Sequence, residues 1–257
     1  MSGPSHIRRN YRQRMGGRFR TFTASYKETD LWVGVDPASY SARMDDFATS
    51  LARRHRLDLE AYIARRPRFL SSLVPIAPDP EAPALAAAMI AASAAAGVGP
   101  MAAVAGAFAA FVGAALAAEF ACREAVVENG GDLWLSFEEE IELSVFAGDS
   151  PLSERIGVSL PPSLSPLGVC TSSGTVGPSL SLGKADAAMV ACRDTDSCLG
   201  AALADAWATA VGNAVGSADD IEAALSLAEG KAGIVSVIVV KGGRMGMRGE
   251  LPLKLFS

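Results

Sequence analysis

Asp205 and Thr209 stand four residues apart in Ala204-Asp205-Ala206-Trp207-Ala208-Thr209-Ala210. A helix through them puts a carboxylate and a hydroxyl one turn apart on one face, a donor pair suited to a hard divalent cation such as Mg2+. The same spacing suits a solvated aspartate and a threonine bonded back to its own helix. Two other stretches break an otherwise apolar background. In Asn129-Gly130-Gly131-Asp132 two glycines at a strand end permit a close ligand approach that a side chain would obstruct, or make a plain tight turn with a capping aspartate. The segment CTSSGTVGPSLSLGKAD, residues 170–186, gathers hydroxyls and bare amides ahead of Lys184 and Asp186. It reads as a neutral cradle from Thr171 through Ser172, Ser173, Gly174, Thr175 and Ser179 to Ser181, able to hold phosphate, with Lys184 the nearby cation and Asp186 a ligand or orienting group.

Several familiar machines are excluded. A phosphate-binding Walker loop needs GxxxxGK[ST]; here Gly177 and Gly183 enclose five residues and Ala185 replaces the metal-binding hydroxyl. A serine or cysteine hydrolase needs a base, and the only histidines are His6, in a basic arm, and His55, on a charged helix. Cys122, Cys170, Cys192 and Cys198 stand singly, without zinc spacing, and read as reduced thiols of a cytoplasmic protein.

A net charge of -5 over 257 residues argues against general nucleic-acid binding, which needs clustered Lys and Arg. Arginines 8, 9, 12, 14, 18 and 20, with no acid before Glu28, suit a basic arm leading into a first strand; an organellar transit peptide is the alternative. No charge occurs between Glu81 and Glu119, so a membrane helix must be weighed. Alanine and glycine gain little in lipid, Gly97 to Pro100 interrupts the run, and no aromatic anchors flank it. Two buried helices, about 84–96 and 100–118, are expected instead, with no membrane partner. The GVGP turn between them is a helix break, or a helix N-terminus offered to an anion.

The remaining elements must position these stations. RFRTFTASY and DLWVGVD read as a hairpin, about 42–65 as a helix, and 67–83 as a proline-rich connector. After the alanine helices come the strands AVVENGGDLWLSF and EIELSVFAG, then RIGVSL, LGVCTSS and ADAAMVACR. Helices LGAALADAWATAVGNAV and ADDIEAALSLAEG follow, and GIVSVIVVKGGRMGMRG closes with two strands. Strands, two helices and strands, given twice, predict a duplicated α+β unit with helices on one face of an antiparallel sheet.

YKETDL, GVGPMAAVAGA, ENGGD, CTSSGTVG, SLGKAD and ADAWATAVGN, in this order, resemble the ApbE superfamily, and more closely a branch related to the magnesium-dependent FAD:protein FMN transferases. The likeness runs from about Tyr11 to the last strand. It implies two T-fold-like units in tandem: a basic arm over 1–18 and a single domain over 19–257 made of halves about 19–147 and 148–257. Asp205 and Thr209 then match the metal-ligating helix motif, Asn129 to Asp132 the NxGGD turn by the nucleotide, and Thr171 to Gly174 the Thr-Ser-Gly segment. The chain departs where the transferases carry an aromatic residue and a histidine segment; Thr175-Val176 and Gly177-Pro178 stand there instead. The resemblance implies a Mg2+-dependent enzyme holding FAD or FMN. A pterin- or purine-like ligand, with Glu128 on its amino edge, and a binding protein with a degenerate site are the alternatives. A homodimer through alanine-rich helices or a sheet edge is a further expectation.

Overall fold

The computed structural model describes residues 17–174, 183–194 and 199–256. Eight strands form one antiparallel sheet: β1 (Arg20–Tyr26), β2 (Thr29–Val35), β3 (Ala125–Asn129), β4 (Asp132–Ser136), β7 (Leu167–Ser172), β8 (Ala187–Arg193), β9 (Ile234–Lys241) and β10 (Arg244–Gly249), side by side in that order. Helices enter between β2 and β3 and again between β8 and β9, so the sheet is two units, each of two strands, a helical stretch and two strands, joined where β4 pairs β7. This is the duplicated α+β arrangement expected from the order of elements.

The first unit carries α1 (Arg43–Arg65), α2 (Ala84–Ala96) and α3 (Val104–Glu119); the second carries α4 (Gly200–Asn213) and α5 (Ile221–Ala228). In α1, Asp45 and Asp46 in the first turn and Arg65 in the last oppose the ends of the helix dipole. Gly97, left-handed at φ 75°, ends α2, and Pro100 opens a 3-10 turn (Pro100–Ala103) that runs into α3. The stretch Pro100–Glu119 is long and apolar enough to cross a membrane by length and composition, and half of it is buried inside the fold. Its buried residues, among them Phe108, Val112 and Leu116, face the sheet and its neighbouring helices.

Alternation along the strands divides the core in two. Val33, Val127, Trp134, Cys170, Val190 and Val239 point to the helices, while Trp32, Val126, Leu135, Val169, Met189 and Ile238 point the other way. That second face is not left to solvent. β5 (Ile141–Ser144) and β6 (Ile156–Leu160), with the short β11 (Leu253–Leu255), make a separate three-stranded antiparallel sheet across it, contributing Leu143, Val158 and Leu160. β5 and β6 are expected from the sequence as further strands, whereas this second layer is not. Each apolar side chain so enclosed contributes about 1.5–3 kcal/mol, which explains why both faces of the long strands are apolar.

Candidate ligand site at one end of the sheet

The turns β1–β2 and β3–β4, the end of β7, the start of β8 and the turn β9–β10 all lie at one end of the large sheet. Two of the three polar stations are built into that end and the third lies over it. In the β3–β4 turn Gly130 and Gly131 have φ of 68° and 111°, a conformation that glycine adopts without strain. The turn delivers Asp132 to the helix face beside β7, where its Oδ1 accepts the Thr171 amide at 3.2 Å. Asn129 Nδ2 reaches across to the Ala105 carbonyl at the start of α3, at 3.1 Å.

Helix α4 lies directly over this point. A Cβ on Gly168 would stand 2.2 Å from the Ala201 backbone, and one on Gly106 2.2 Å from the Ala201 carbonyl, so glycine at both positions lets β7, α3 and α4 meet in backbone contact. Asp205 follows one turn after Ala201, and its Oδ2 accepts the Gly106 amide at 3.0 Å, with the Ala105 amide a second donor. These are amides of the first turn of α3, which has no cap from its own chain start, so Asp205 acts as the cap from another helix. The helix N-terminus that the GVGP turn announced does receive an anion, and that anion is Asp205.

Asp132 is buried, at 9 % exposed, and Asp205 is half-buried. Burial first, and the nearby Glu128 carboxyl, push Asp132 up to about 7 against the pull of the Cys170 thiol and the Thr171 amide. Burial and the Asp132 charge push Asp205 well above the usual carboxylate range. The Cys170 thiol bonds to Asp132 and lies 3.2 Å from the Ala201 carbonyl, and it too is raised, by burial and by both carboxyls. Cys170 belongs to this cluster although single-cysteine spacing gave no sign of it; the two-residue period of β7, which puts Cys170 and Ser172 on the helix face, is the signal that does.

Thr209 is buried one turn beyond Asp205. Ser172 on β7, 8 % exposed, has a buried Oγ without a hydrogen-bond partner among the described residues, close to where a Cβ on Gly212 of α4 would lie. Ser173 is half-buried just after β7.

The amides of the hydroxyl-rich segment are less available than the cradle reading expects. Gly174 N donates to the Ala185 carbonyl, Gly183 N to Asn213 Oδ1 and Lys184 N to the Val215 carbonyl. The Gly131 amide is taken by Glu128 Oε1 at 2.7 Å, so that oxygen of Glu128 caps its own turn. Lys184 has an exposed side chain. Asp186 stands two strands away from Asp132, its oxygens on Lys241 Nζ at 3.0 Å and the Gly242 amide at 2.6 Å, where it clamps the β9–β10 turn. Thr175, Ser179 and Ser181 lie outside the described residues. His55 is tucked edge-on against Phe108 and Phe111, and burial lowers its imidazole.

The donor set suits a hard cation in kind: buried Asp132 and half-buried Asp205, with no cationic side chain bonded to either among the described residues, the buried Thr209, and the Ser172 hydroxyl, unpartnered among the described residues. Among the described residues no three His, Cys, Asp or Glu side chains come together as a metal cluster, so a cation would need the hydroxyls as ligands.

A family model described as AbpE bacteria matches residues 12–231. The chain belongs to this ApbE-like family. It is 40 % identical over 232 residues to a UPF0280 protein of Methanococcus aeolicus, covering 89 % of each chain. To a UPF0280 protein of Methanosphaerula palustris it is 42 % identical over 197 residues, 77 % of this chain and 78 % of the other. Among solved structures, the apo form of the Pseudomonas stutzeri flavinyl transferase ApbE superposes with a TM-score of 0.50 at 14 % identity, over 90 % of this chain and 93 % of that one. That likeness establishes the ApbE fold, in agreement with the motifs read from the sequence.

Proposed function

We infer that this ApbE-like protein is a Mg2+-dependent enzyme that binds a flavin nucleotide at the carboxyl cluster and transfers FMN from FAD or performs related phosphoryl chemistry. The observation that carries the reading is the convergence of Asp132, Thr171 and Asp205 from three distant segments into one partly buried cluster, joined through the Thr171 amide, the Cys170 thiol and the start of α3. Two acids with raised affinity for protons are a costly arrangement for stability alone, and such groups collect at functional sites. The fold shared with a flavinyl transferase supports a flavin as the ligand.

Asp205 and Thr209 would hold the cation, which would supply Lewis-acid charge neutralisation for phosphoryl chemistry. The protein's own contribution is positional. Asp132 fixes the end of β7 through the Thr171 amide, Asp205 fixes the start of α3, and the Ser172 hydroxyl is the donor left over for a ligand oxygen.

Titration of the purified protein with FAD, followed by flavin fluorescence, tests the reading. Binding should require Mg2+, and Asp205→Asn should remove that requirement together with tight binding. Flavin binding indifferent to both, or a pterin binding where FAD does not, overturns it.

A further inference from the structure

The exposed face of α1 and the connector after it carry a second group of features that the carboxyl cluster does not use. Arg54, Leu57, Ala61 and Arg65 recur every three or four residues and are exposed, so they line one side of the helix. The chain then presents Arg68, Leu70, Leu73 and Val74. Of the seven large hydrophobic side chains exposed among the described residues, four are Leu57, Leu70, Leu73 and Val74, the last two 58 % and 60 % exposed. Arg54, Arg65 and Arg68 make no ion pair among the described residues, in a chain whose net charge is -5.

Of these groups Arg65 and Arg68 line a cavity of about 540 Å³, with Tyr62 and Phe69 in its wall and prolines 67, 75, 78 and 80 stiffening its rim, while Leu70, Leu73 and Val74 are exposed in the same stretch of chain. The connector displays the recognition chemistry itself. Asp79 and Glu81 flank Pro80 and both lie on Arg66, at 3.0 and 2.9 Å, while Asp79 also accepts the Tyr62 hydroxyl at 3.0 Å. An acidic stretch of chain is therefore already seated on Arg66, and Arg65 and Arg68 beside it are left without one.

We propose that this surface docks an acidic, apolar segment of a partner protein, its carboxylates on Arg65 and Arg68 and an apolar side chain in the cavity between Phe69 and the prolines. Guanidiniums on a stiff concavity lined by Phe69, Ile76 and prolines, with exposed leucines in the adjoining chain, fit a peptide with alternating acidic and apolar residues, because each arginine can hold a carboxylate in two-point fashion while the apolar groups exclude water. A membrane surface would use the same charges without using the cavity. The site is independent of the flavin reading, since none of its residues belongs to the carboxyl cluster.

Panning a phage library of random linear peptides against the full chain tests this. Enriched peptides should combine Asp or Glu with Leu, Phe or Val. A synthetic copy of the best one should bind Arg65→Ser/Arg68→Ser and Leu73→Ser/Val74→Ser about tenfold or more weakly, with thermal unfolding of both variants unchanged, and Arg65→Glu/Arg68→Glu should select basic peptides instead. The proposal is overturned by no enrichment, by enriched peptides without acids, or by equal binding to all variants. It is also overturned if phosphatidylglycerol vesicles bind with the same sensitivity to the variants while no peptide competes.

Discussion

The large sheet has a pair of acids at each end, Asp36 and Glu124 at one and buried Asp132 with half-buried Asp205 from the overlying helix at the other, and the two pairs are treated in opposite ways. At the end away from the ligand site, Asp36 accepts the Ser39, Arg123 and Glu124 amides at 3.0–3.2 Å. Glu124 accepts the Glu138 and Glu139 amides and both sides of the Arg18 guanidinium. Burial alone would raise both carboxyls, but the Ser39 bonds and backbone amides hold Asp36 below its ordinary value, and Arg18 with the two amides does the same for Glu124. At the ligand end, Asp132 and Asp205 have fewer donors and no cation, and burial prevails. A satisfied buried acid ties loops to a sheet; an unsatisfied pair is a store of unfavourable charge that something else must relieve.

The largest contrast is in stability. Glu124→Ala leaves Arg18 without its carboxylate and two amides without an acceptor, and should cost about 3 kcal/mol. Asp132→Asn keeps an oxygen for the Thr171 amide and removes a buried charge, so at pH 8, without metal, it should change stability by less than about 1 kcal/mol or increase it. Urea unfolding of both variants measures this. Similar losses from the two substitutions would mean that the two ends do not differ as described.

Proton linkage sharpens the same contrast. Asp132 and Asp205 are raised in the folded state, so their contribution is fully present below the unfolded aspartate value of 3.8; that of Asp132 is lost as pH rises through about 7, and that of Asp205 as pH rises through its own raised folded value. Asp36 and Glu124 are lowered, so theirs is present above 3.8 and 4.5 and is lost as pH falls through their folded values. Metal-free protein should therefore lose stability between about pH 5 and pH 8, and Asp132→Asn should flatten that limb while leaving the acid limb in place. Mg2+ should restore stability more at pH 8 than at pH 6, because a cation at these carboxyls displaces protons. A melting temperature that rises from pH 5 to pH 8 in the metal-free protein contradicts the assignment.

The difference between the ends also explains what was legible in the sequence. NGGD, the Asp205-Thr209 spacing and the repeated strand-helix order are local patterns, and the fold and the ligand end follow from them. Cys170, the α3 amides and the clamp on Asp186 depend on which segments meet, and contacts between distant segments leave no spacing to read. The GVGP turn shows both cases: its helix break is written in Gly97 and Pro100, whereas its anion, Asp205, comes from a helix about a hundred residues later. The three-stranded layer was equally hidden, since β5 and β6 read as strands without stating which sheet they join.

Asp186 gives the smallest effect and the sharpest separation of roles. The sequence puts it with the phosphate-holding segment, yet its oxygens are on Lys241 and the Gly242 amide. Its loss in Asp186→Ala should cost about 1–2 kcal/mol, the worth of charged hydrogen bonds at a partly exposed turn. FAD affinity should then stay within about twofold of the parent, because the clamp is two strands away from Asp132 and a turn that loosens there does not move β7. If affinity instead falls by about tenfold or more while stability hardly changes, Asp186 turns toward the ligand when one is bound, and the site extends across β8 to the β9–β10 turn.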